Sequence, residues 1–213
     1  MLTAIIDYSS GNLHSARKAF EKISASNNLG SVVVTSNPDV ISSADRLVLP
    51  GDGAFPACKT ELLSSEAYDA MVYAAVEKGR PFLGICVGMQ ILAYYGYENQ
   101  KTKGLSWING DVKPLKKFLD NSQNLKIPHM GWNNLSINKN NKLLDNITVN
   151  DQFYFVHSYF FDIQNKKNII CNTKYGIDIP AIVNQDNIFG FQFHPEKSGR
   201  SGLKILYNWL KLS

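Results

Sequence analysis

The sequence predicts an α/β fold: an open, mostly parallel sheet flanked by helices, with an antiparallel portion added. Three observations carry this. The first half alternates short apolar runs with amphipathic stretches, a Gly-x-Cys-x-Gly turn joins one such run to a helical pattern, and the second half changes to strand-like runs separated by Asn, Lys, Gly and Asp.

Residues 3–7 form the first apolar run, and Leu13, Ala16, Phe20 and Ile23 follow it at helical spacing. Residues 31–35 and 46–50 read as the next two strands. This is βαβ grammar, in which ligands gather at the carboxyl ends of parallel strands. Residues 61–78 are expected to be helical, with Leu62, Met71 and Ala75 among the apolar positions, and to end at Gly79 before Pro81 and Phe82 open a buried strand. Residues 89–95 are expected to continue as a helix that Gly96 terminates. Beyond about residue 105, runs at 153–162, 169–172, 181–184 and 188–193 suggest the antiparallel portion, and 138–141 is a polar loop. The chain closes on a helix with Leu203, Leu206 and Trp209 or Leu210 on one face. With no internal repeat or linker, residues 1–213 are expected to form one domain.

Composition narrows the classes. A 44% hydrophobic content over 213 residues suffices for a sizeable core. The net charge of +4 includes a loose cluster at Lys113, Lys116 and Lys117 without interleaved aromatics, which reads as a solvated face and not a nucleic-acid patch. Cys58, Cys86 and Cys171 are odd in number and widely spaced, so neither a disulfide framework nor a metal site is indicated, and no cofactor is expected. No run approaches the ~20 apolar residues that span a bilayer, and the amino terminus lacks a signal pattern, so a cytoplasmic protein is expected. Asn-x-Ser/Thr matches at Asn134 and Asn146 then carry no meaning.

The chemistry centres on Gly84-Ile85-Cys86-Val87-Gly88. A side chain on a sharp strand-to-helix turn needs neighbours without bulk two residues away on both sides, and Gly84 and Gly88 meet that need. At a helix N-terminus the macrodipole and unpaired N–H groups favour a thiolate. Alone, the pattern fits a buried structural cysteine equally well. A cysteine nucleophile requires a base and a group to orient it, and His194-Pro195-Glu196, directly after a strand-like run, offers both; in an extended segment residues two apart face the same side. Leu49-Pro50-Gly51-Asp52-Gly53 is a strand entering a glycine-rich turn, whose amides at Gly51 and Gly53, with that of Val87, are candidates for an oxyanion hole.

In this order, Pro50-Gly51-Asp52-Gly53, Gly84-Ile85-Cys86-Val87-Gly88-Met89-Gln90 and His194-Pro195-Glu196 resemble the class I, triad-type glutamine amidotransferases, whose fold is flavodoxin-like. Asp7-Tyr8-Ser9-Ser10-Gly11-Asn12, Ile127-Pro128-His129-Met130-Gly131-Trp132-Asn133, Tyr154-Phe155-Val156-His157-Ser158-Tyr159 and Gly190-Phe191-Gln192-Phe193 with the residues up to Ser198 are similar to the glutaminase subunits of imidazole glycerol phosphate synthases. The resemblance implies that Cys86 attacks the glutamine side-chain amide, that His194 shuttles the proton and that Glu196 orients His194. It implies ammonia transfer to a partner, a (β/α)8-barrel cyclase, in histidine biosynthesis, the two subunits forming a heterodimer. Gly53, Gln90, Ser158 and Tyr159 become candidates for holding glutamine. Asn12, Trp132, Asn133, Tyr154 and Lys197 become candidates for the barrel-facing surface, although Trp132 equally fits a core aromatic and Lys197 a solvated charge.

Two residues depart from the family pattern. Asp52 stands where an apolar residue is usual, and its carboxylate is expected to point outward with little effect; Ser9 stands where glycine is common, with only a small change in the turn expected. Three other readings stay open: an amidotransferase serving a sugar-amidinating synthase, a solitary cysteine hydrolase, and a catalytically silent regulatory module.

Overall fold

The apolar runs of the first half become adjacent parallel strands. The computed structural model describes residues 1–120, 122 and 124–212. It opens with β1 (Leu2–Ile6), α1 (Leu13–Asn27), β2 (Ser31–Thr35), α2 (Pro38–Ser43) and β3 (Arg46–Gly51). Asn12 caps α1 by accepting from the Ser15 amide at 3.2 Å, and Asn28 ends it in the left-handed region, with φ 53°. Helix α2 escapes periodicity analysis because it has six residues, yet its start is written in Asn37-Pro38, an N-cap followed by proline at the first helical position. Next come α3 (Phe55–Ser64), α4 (Ala67–Val72) with a π-turn over Tyr73–Glu77, β4 (Phe82–Cys86) and α5 (Val87–Gln90). The single helix expected at 61–78 thus starts earlier and breaks at Ser65, where the backbone is extended and the Ser65 hydroxyl donates to the Leu62 carbonyl.

Helix α5 is far shorter than the expected 89–95. The Ile91, Leu92 and Ala93 carbonyls accept instead from the amides of Leu105, Trp107 and Ser106 at 2.7–3.0 Å, so a neighbouring loop takes the acceptors that a longer helix needs. Tyr95 and Gly96, read as the end of that helix, form β5 (Tyr95–Gly96), followed by β6 (Thr102–Lys103), β7 (Gly110–Pro114), β8 (His129–Asn134) and β9 (Ser136–Ile137). The strand expected at 153–162 is two strands, β10 (Gln152–His157) and β11 (Tyr159–Ile163). They part at Ser158, because β10 pairs with β8 while β11 pairs with β7 in another sheet. β12 (Ile169–Tyr175), β13 (Ile177–Gln185), β14 (Ile188–Phe191) and α6 (Gly199–Lys211) complete the chain.

Among the described residues the main sheet runs β2-β1-β3-β4-β14-β13-β12-β9, parallel from β2 to β14 and antiparallel from there on. The expected antiparallel portion is present; two smaller sheets, β10-β8 and β11-β7-β5-β6, were not foreseen. Helix α6 buries Leu206, Trp209 and Leu210 as its spacing predicts, with Trp209 edge-on to Phe20 of α1. No helix of the described residues is long and apolar enough to cross a membrane.

Candidate active site

Cys86 ends β4 in a conformation that only a forced turn produces, with φ 54° and ψ −111°. A non-glycine residue there costs roughly 1–3 kcal/mol and persists only where the surroundings impose it. The surroundings are main chain. A Cβ on Gly84 would lie 2.5 Å from the Gly88 carbonyl oxygen, and one on Gly88 would overlap the Leu49 carbonyl oxygen. Gly84 is therefore where the elbow folds back on itself and Gly88 where it presses against β3, and neither place has room for a side chain, as the spacing predicts. Gly51 has the same use, since a Cβ there would overlap the Gly88 amide nitrogen. Strand register then sets the neighbours: Gly51 is paired with Cys86, so the turn at 51–53 leaves β3 beside the thiol.

On the other flank β14 pairs with β4, Phe191 opposite Ile85, and delivers Gln192 to His194 just beyond. His194 and Glu196 meet, with Nδ1 to Oε1 at 2.7 Å and both side chains buried. They do so through a 3-10 turn over Pro195–Lys197, not through the extended segment expected from the two-residue spacing. Burial opposes a charge on His194, but the Cys86 sulfur and the Glu196 carboxylate outweigh it and raise its pKa to about 10. His194 Nε2 is buried and, among the described residues, has no partner other than the nearby Cys86 sulfur. Among the described residues Cys86 Sγ also makes two long contacts, with the Gln192 amide at 3.9 Å and the Val156 carbonyl at 4.0 Å, of the kind common in unliganded sites.

Cys86 opens on a cavity of about 230 Å³, also lined by Gly53, Gln90, Glu98, His157, Ser158 and Tyr159. That is below the ~300–1,000 Å³ of drug-sized sites, so the ligand is small. Gln90 Nε2 donates to the Tyr159 carbonyl at 3.1 Å and to Gln192 Oε1 at 3.0 Å. With both protons engaged, Gln90 has only its oxygen left to offer a ligand. Glu98 has one oxygen on the Phe55 amide at 2.7 Å. Asp52, at the rim, is exposed, so water screens its carboxylate.

Two buried histidines brace the far wall. His157 Nδ1 donates to the Tyr159 carbonyl at 2.9 Å, which leaves its Nε2 to accept from His129 Nδ1 at 2.9 Å. Burial lowers the pKa of His129 to about 4, and burial together with His129 lowers that of His157 to about 3. Both are neutral at pH 7. Sequence reasoning overlooked Gln192, Glu98 and this pair. Gln192 carried a signal, its two-residue spacing from His194 at the end of a strand-like run; Glu98 sits in a polar loop without any.

The surface candidates separate. Trp132 and Tyr154 face each other across β8 and β10, rings 5.9 Å apart, with Trp132 half exposed and Met130 beside it at 61% exposure. Tyr154 also ties this pair to the site, its carbonyl accepting from the His194 amide at 2.9 Å. Asn12 is spent on capping α1, and Asn133 turns inward, donating to the Lys174 carbonyl at 2.9 Å. Lys197 is half-buried beside Glu196.

The comparisons agree with this geometry. The family model described as glutamine amidotransferase class-I matches residues 4–212. Imidazole glycerol phosphate synthase subunit HisH of Ruegeria pomeroyi is 52% identical over 211 residues, covering 99% of this chain and 98% of that protein. The HisH subunit of Cereibacter sphaeroides is 45% identical over the same shares. A solved structure described as a glutamine amidotransferase superposes with a TM-score of 0.72 at 15% identity, covering 99% of both chains, which speaks to the fold alone. With glycine-tight elbow, His-Glu pair and full-length similarity in agreement, the chain belongs to the class-I glutamine amidotransferases and, among them, to the family of the HisH subunits.

Proposed function

We propose that this chain is the glutaminase subunit of an imidazole glycerol phosphate synthase, acting as one domain over residues 1–213 in the cytoplasm. The observation that carries the reading is the strained Cys86 elbow flanked by the glycine turn on one strand and the 2.7 Å His194–Glu196 pair on the other.

Glutamine enters with its carboxamide at Cys86. Its α-ammonium meets acceptors only, the Glu98 carboxylate and Gln90 Oε1, while Ser158 and Tyr159 close over the α-carbon end. Cys86 Sγ attacks the carboxamide carbon as the thiolate, while His194, whose pKa of about 10 makes it the imidazolium at pH 7, already carries the proton beside it. The oxyanion faces the Val87 amide, free because it heads α5, and the Gly53 amide; such donors are worth ~3–4 kcal/mol each. Glu196 holds the imidazolium, which hands its proton to the departing nitrogen, and ammonia leaves. Water then attacks the thioester with His194 as base and releases glutamate. Ammonia passes to a (β/α)8-barrel cyclase, which makes imidazole glycerol phosphate and aminoimidazole carboxamide ribotide in histidine biosynthesis. Channelling is required because ammonium, the form that dominates in neutral water, is not a nucleophile. Trp132 and Tyr154 are the aromatic anchors of that interface, with Lys197 at its edge; Asn12 and Asn133 hold the backbone beneath it.

The test is glutamate release from glutamine by the purified chain, alone and with a histidine-pathway cyclase barrel and its nucleotide ligand. Low turnover alone and strong stimulation by the liganded barrel, both abolished in Cys86→Ala, are expected. Equal rates with and without the barrel would indicate a solitary hydrolase and overturn the reading.

A further inference from the structure

Behind the glycine turn, on the side away from Cys86, three side chains converge on two of its carbonyls. The Tyr8 hydroxyl donates to the Pro50 carbonyl at 2.8 Å. The Ser10 hydroxyl donates to the Asp52 carbonyl at 3.0 Å, and the Cys58 thiol donates to the same oxygen at 3.3 Å. Ser10 Oγ and Cys58 Sγ are themselves 3.1 Å apart, so hydroxyl, thiol and carbonyl form a closed triangle. The grip comes from two unrelated elements: Ser10 lies in the loop after β1, and Cys58 lies in α3. Cys58 is buried, and burial pushes its thiol pKa up, so it keeps the proton that a donor needs. None of these side chains has a part in the chemistry above.

Peptide geometry converts this grip into a consequence for the site. Asp52 and Gly53 form a wall between two clefts: the Cys86 cavity, and a second cleft with Ser10 and Cys58 in its lining. A trans peptide is planar, with its C=O and N–H pointing in opposite directions. Holding the Asp52 oxygen against Ser10 and Cys58 therefore turns the Gly53 N–H toward the Cys86 cavity. Local packing does not impose this orientation. Gly53 has φ +108°, and no heavy atom lies within 4 Å of where its Cβ would be. With glycine on its carboxyl side the Asp52–Gly53 peptide is easily rotated, so the side-chain donors decide which way it faces.

We propose that Ser10 and Cys58 are positioning residues that hold the Asp52 carbonyl away from the site and thereby present the Gly53 amide to the glutamine carboxamide, with Tyr8 anchoring the preceding peptide at Pro50. The inference rests on the glutaminase reading of the cavity. It predicts a loss in oxyanion stabilisation without a loss in thiol reactivity.

The experiment uses the full chain with the cyclase barrel, comparing wild type with Ser10→Ala, Cys58→Ala and the double variant. Glutamine turnover is measured beside the alkylation of Cys86 by iodoacetamide, read by peptide mass spectrometry. Alkylation displaces iodide from a saturated carbon and forms no oxyanion, so it reports the thiol and not the turn. The double variant is expected to lose about 10- to 100-fold in kcat, part or all of one oxyanion donor, with KM changed less than kcat and Cys86 alkylation within about twofold of wild type. Cys58→Ser and Ser10→Thr, which keep a donor, are expected to keep the rate. Should the double variant not fold, Ser10→Ala alone removes one donor from a partly exposed position and is expected to lower kcat in the same selective way. Wild-type kcat in the double variant, or a parallel fall of alkylation and turnover, would overturn the proposal. No glutamine turnover by wild type in any mixture would remove the glutaminase reading itself and this inference with it.

Discussion

Replacing Gly88 by alanine sets helix propensity against packing at one atom. Gly88 lies in α5, where alanine is favoured over glycine by about 1 kcal/mol. Propensity alone predicts a more stable protein. The added Cβ, however, would overlap the Leu49 carbonyl oxygen and stand 3.0 Å from the Leu49 carbonyl carbon. Leu49 belongs to β3, which is paired on both sides, with β1 and β4, so no flexible side chain is available to swing aside. Overpacking costs typically 1–3 kcal/mol, and contact between two main chains belongs at or above the upper end. Subtracting the propensity gain leaves a loss of about 2 kcal/mol or more, which for a chain of this size lowers Tm by about 4–8 °C. The elbow can relieve the overlap only by lifting α5 off β3, and a displacement of ~1 Å at a reacting group costs on the order of 10²-fold in rate. Thermal unfolding and barrel-stimulated glutamate release would be measured on Gly88→Ala and on Gly53→Ala, where a Cβ meets nothing within 4 Å and only the positive φ opposes it. A Gly88→Ala protein as stable as wild type or more so would show that propensity wins and that close approach is not why glycine is there.

Glu98→Gln is expected to raise the glutamine KM by about 10- to 100-fold with little change in kcat, because a charge-assisted bond of ~1.5–3 kcal/mol to the α-ammonium is made equally in ground and transition states; steady-state kinetics check it, and an unchanged KM would remove Glu98 from the substrate. Stability is expected to fall on acidification from about pH 6.5 toward pH 4. His129 and His157 have folded pKa values of about 4 and 3 against ~6.5 unfolded, so the unfolded chain takes up their protons first and each histidine contributes a slope of at most ~1.4 kcal/mol per pH unit. Asp151, lowered to about 2, contributes stability that is lost only below ~pH 4, and His194, raised to about 10, loses its contribution as pH rises from ~6.5 through 10, so neither accounts for that window. Urea unfolding across this range should show a flatter slope in the His129→Gln/His157→Gln double variant, and an unaltered slope would sink the assignment. Ser9 sits at φ 69°, so Ser9→Gly trades left-handed strain of ~1–2 kcal/mol for a glycine entropy cost of ~0.5–1 and should raise Tm slightly; a lower Tm would mean that Ser9 is not strained.

What the amino-acid order determined by itself was everything set by local sterics and periodicity. Gly84 can be read because the clash it avoids is with the elbow itself, and Gly88 because any elbow of this kind leaves its strand against a neighbouring one, although which strand that is, β3 at Leu49, was decided by the sheet. Strands β1 to β4 and the buried face of α6 follow from apolar spacing; that His194 and Glu196 meet was also legible, although the 3-10 turn that joins them was not. The tertiary structure decided what depends on a distant hydrogen-bond partner. Residues 91–95 have a helical pattern, but the carbonyls of Ile91 to Tyr94 are claimed by the loop at 104–108, so α5 stops at Gln90 and Glu98 reaches the cavity. The 153–162 run has a continuous strand pattern, but its halves find partners in different sheets, and the break at Ser158 is what brings Ser158 and Tyr159 to the cavity. Side-chain period records which face a residue turns to the core; it carries no record of which far segment will supply the donor or acceptor for its backbone.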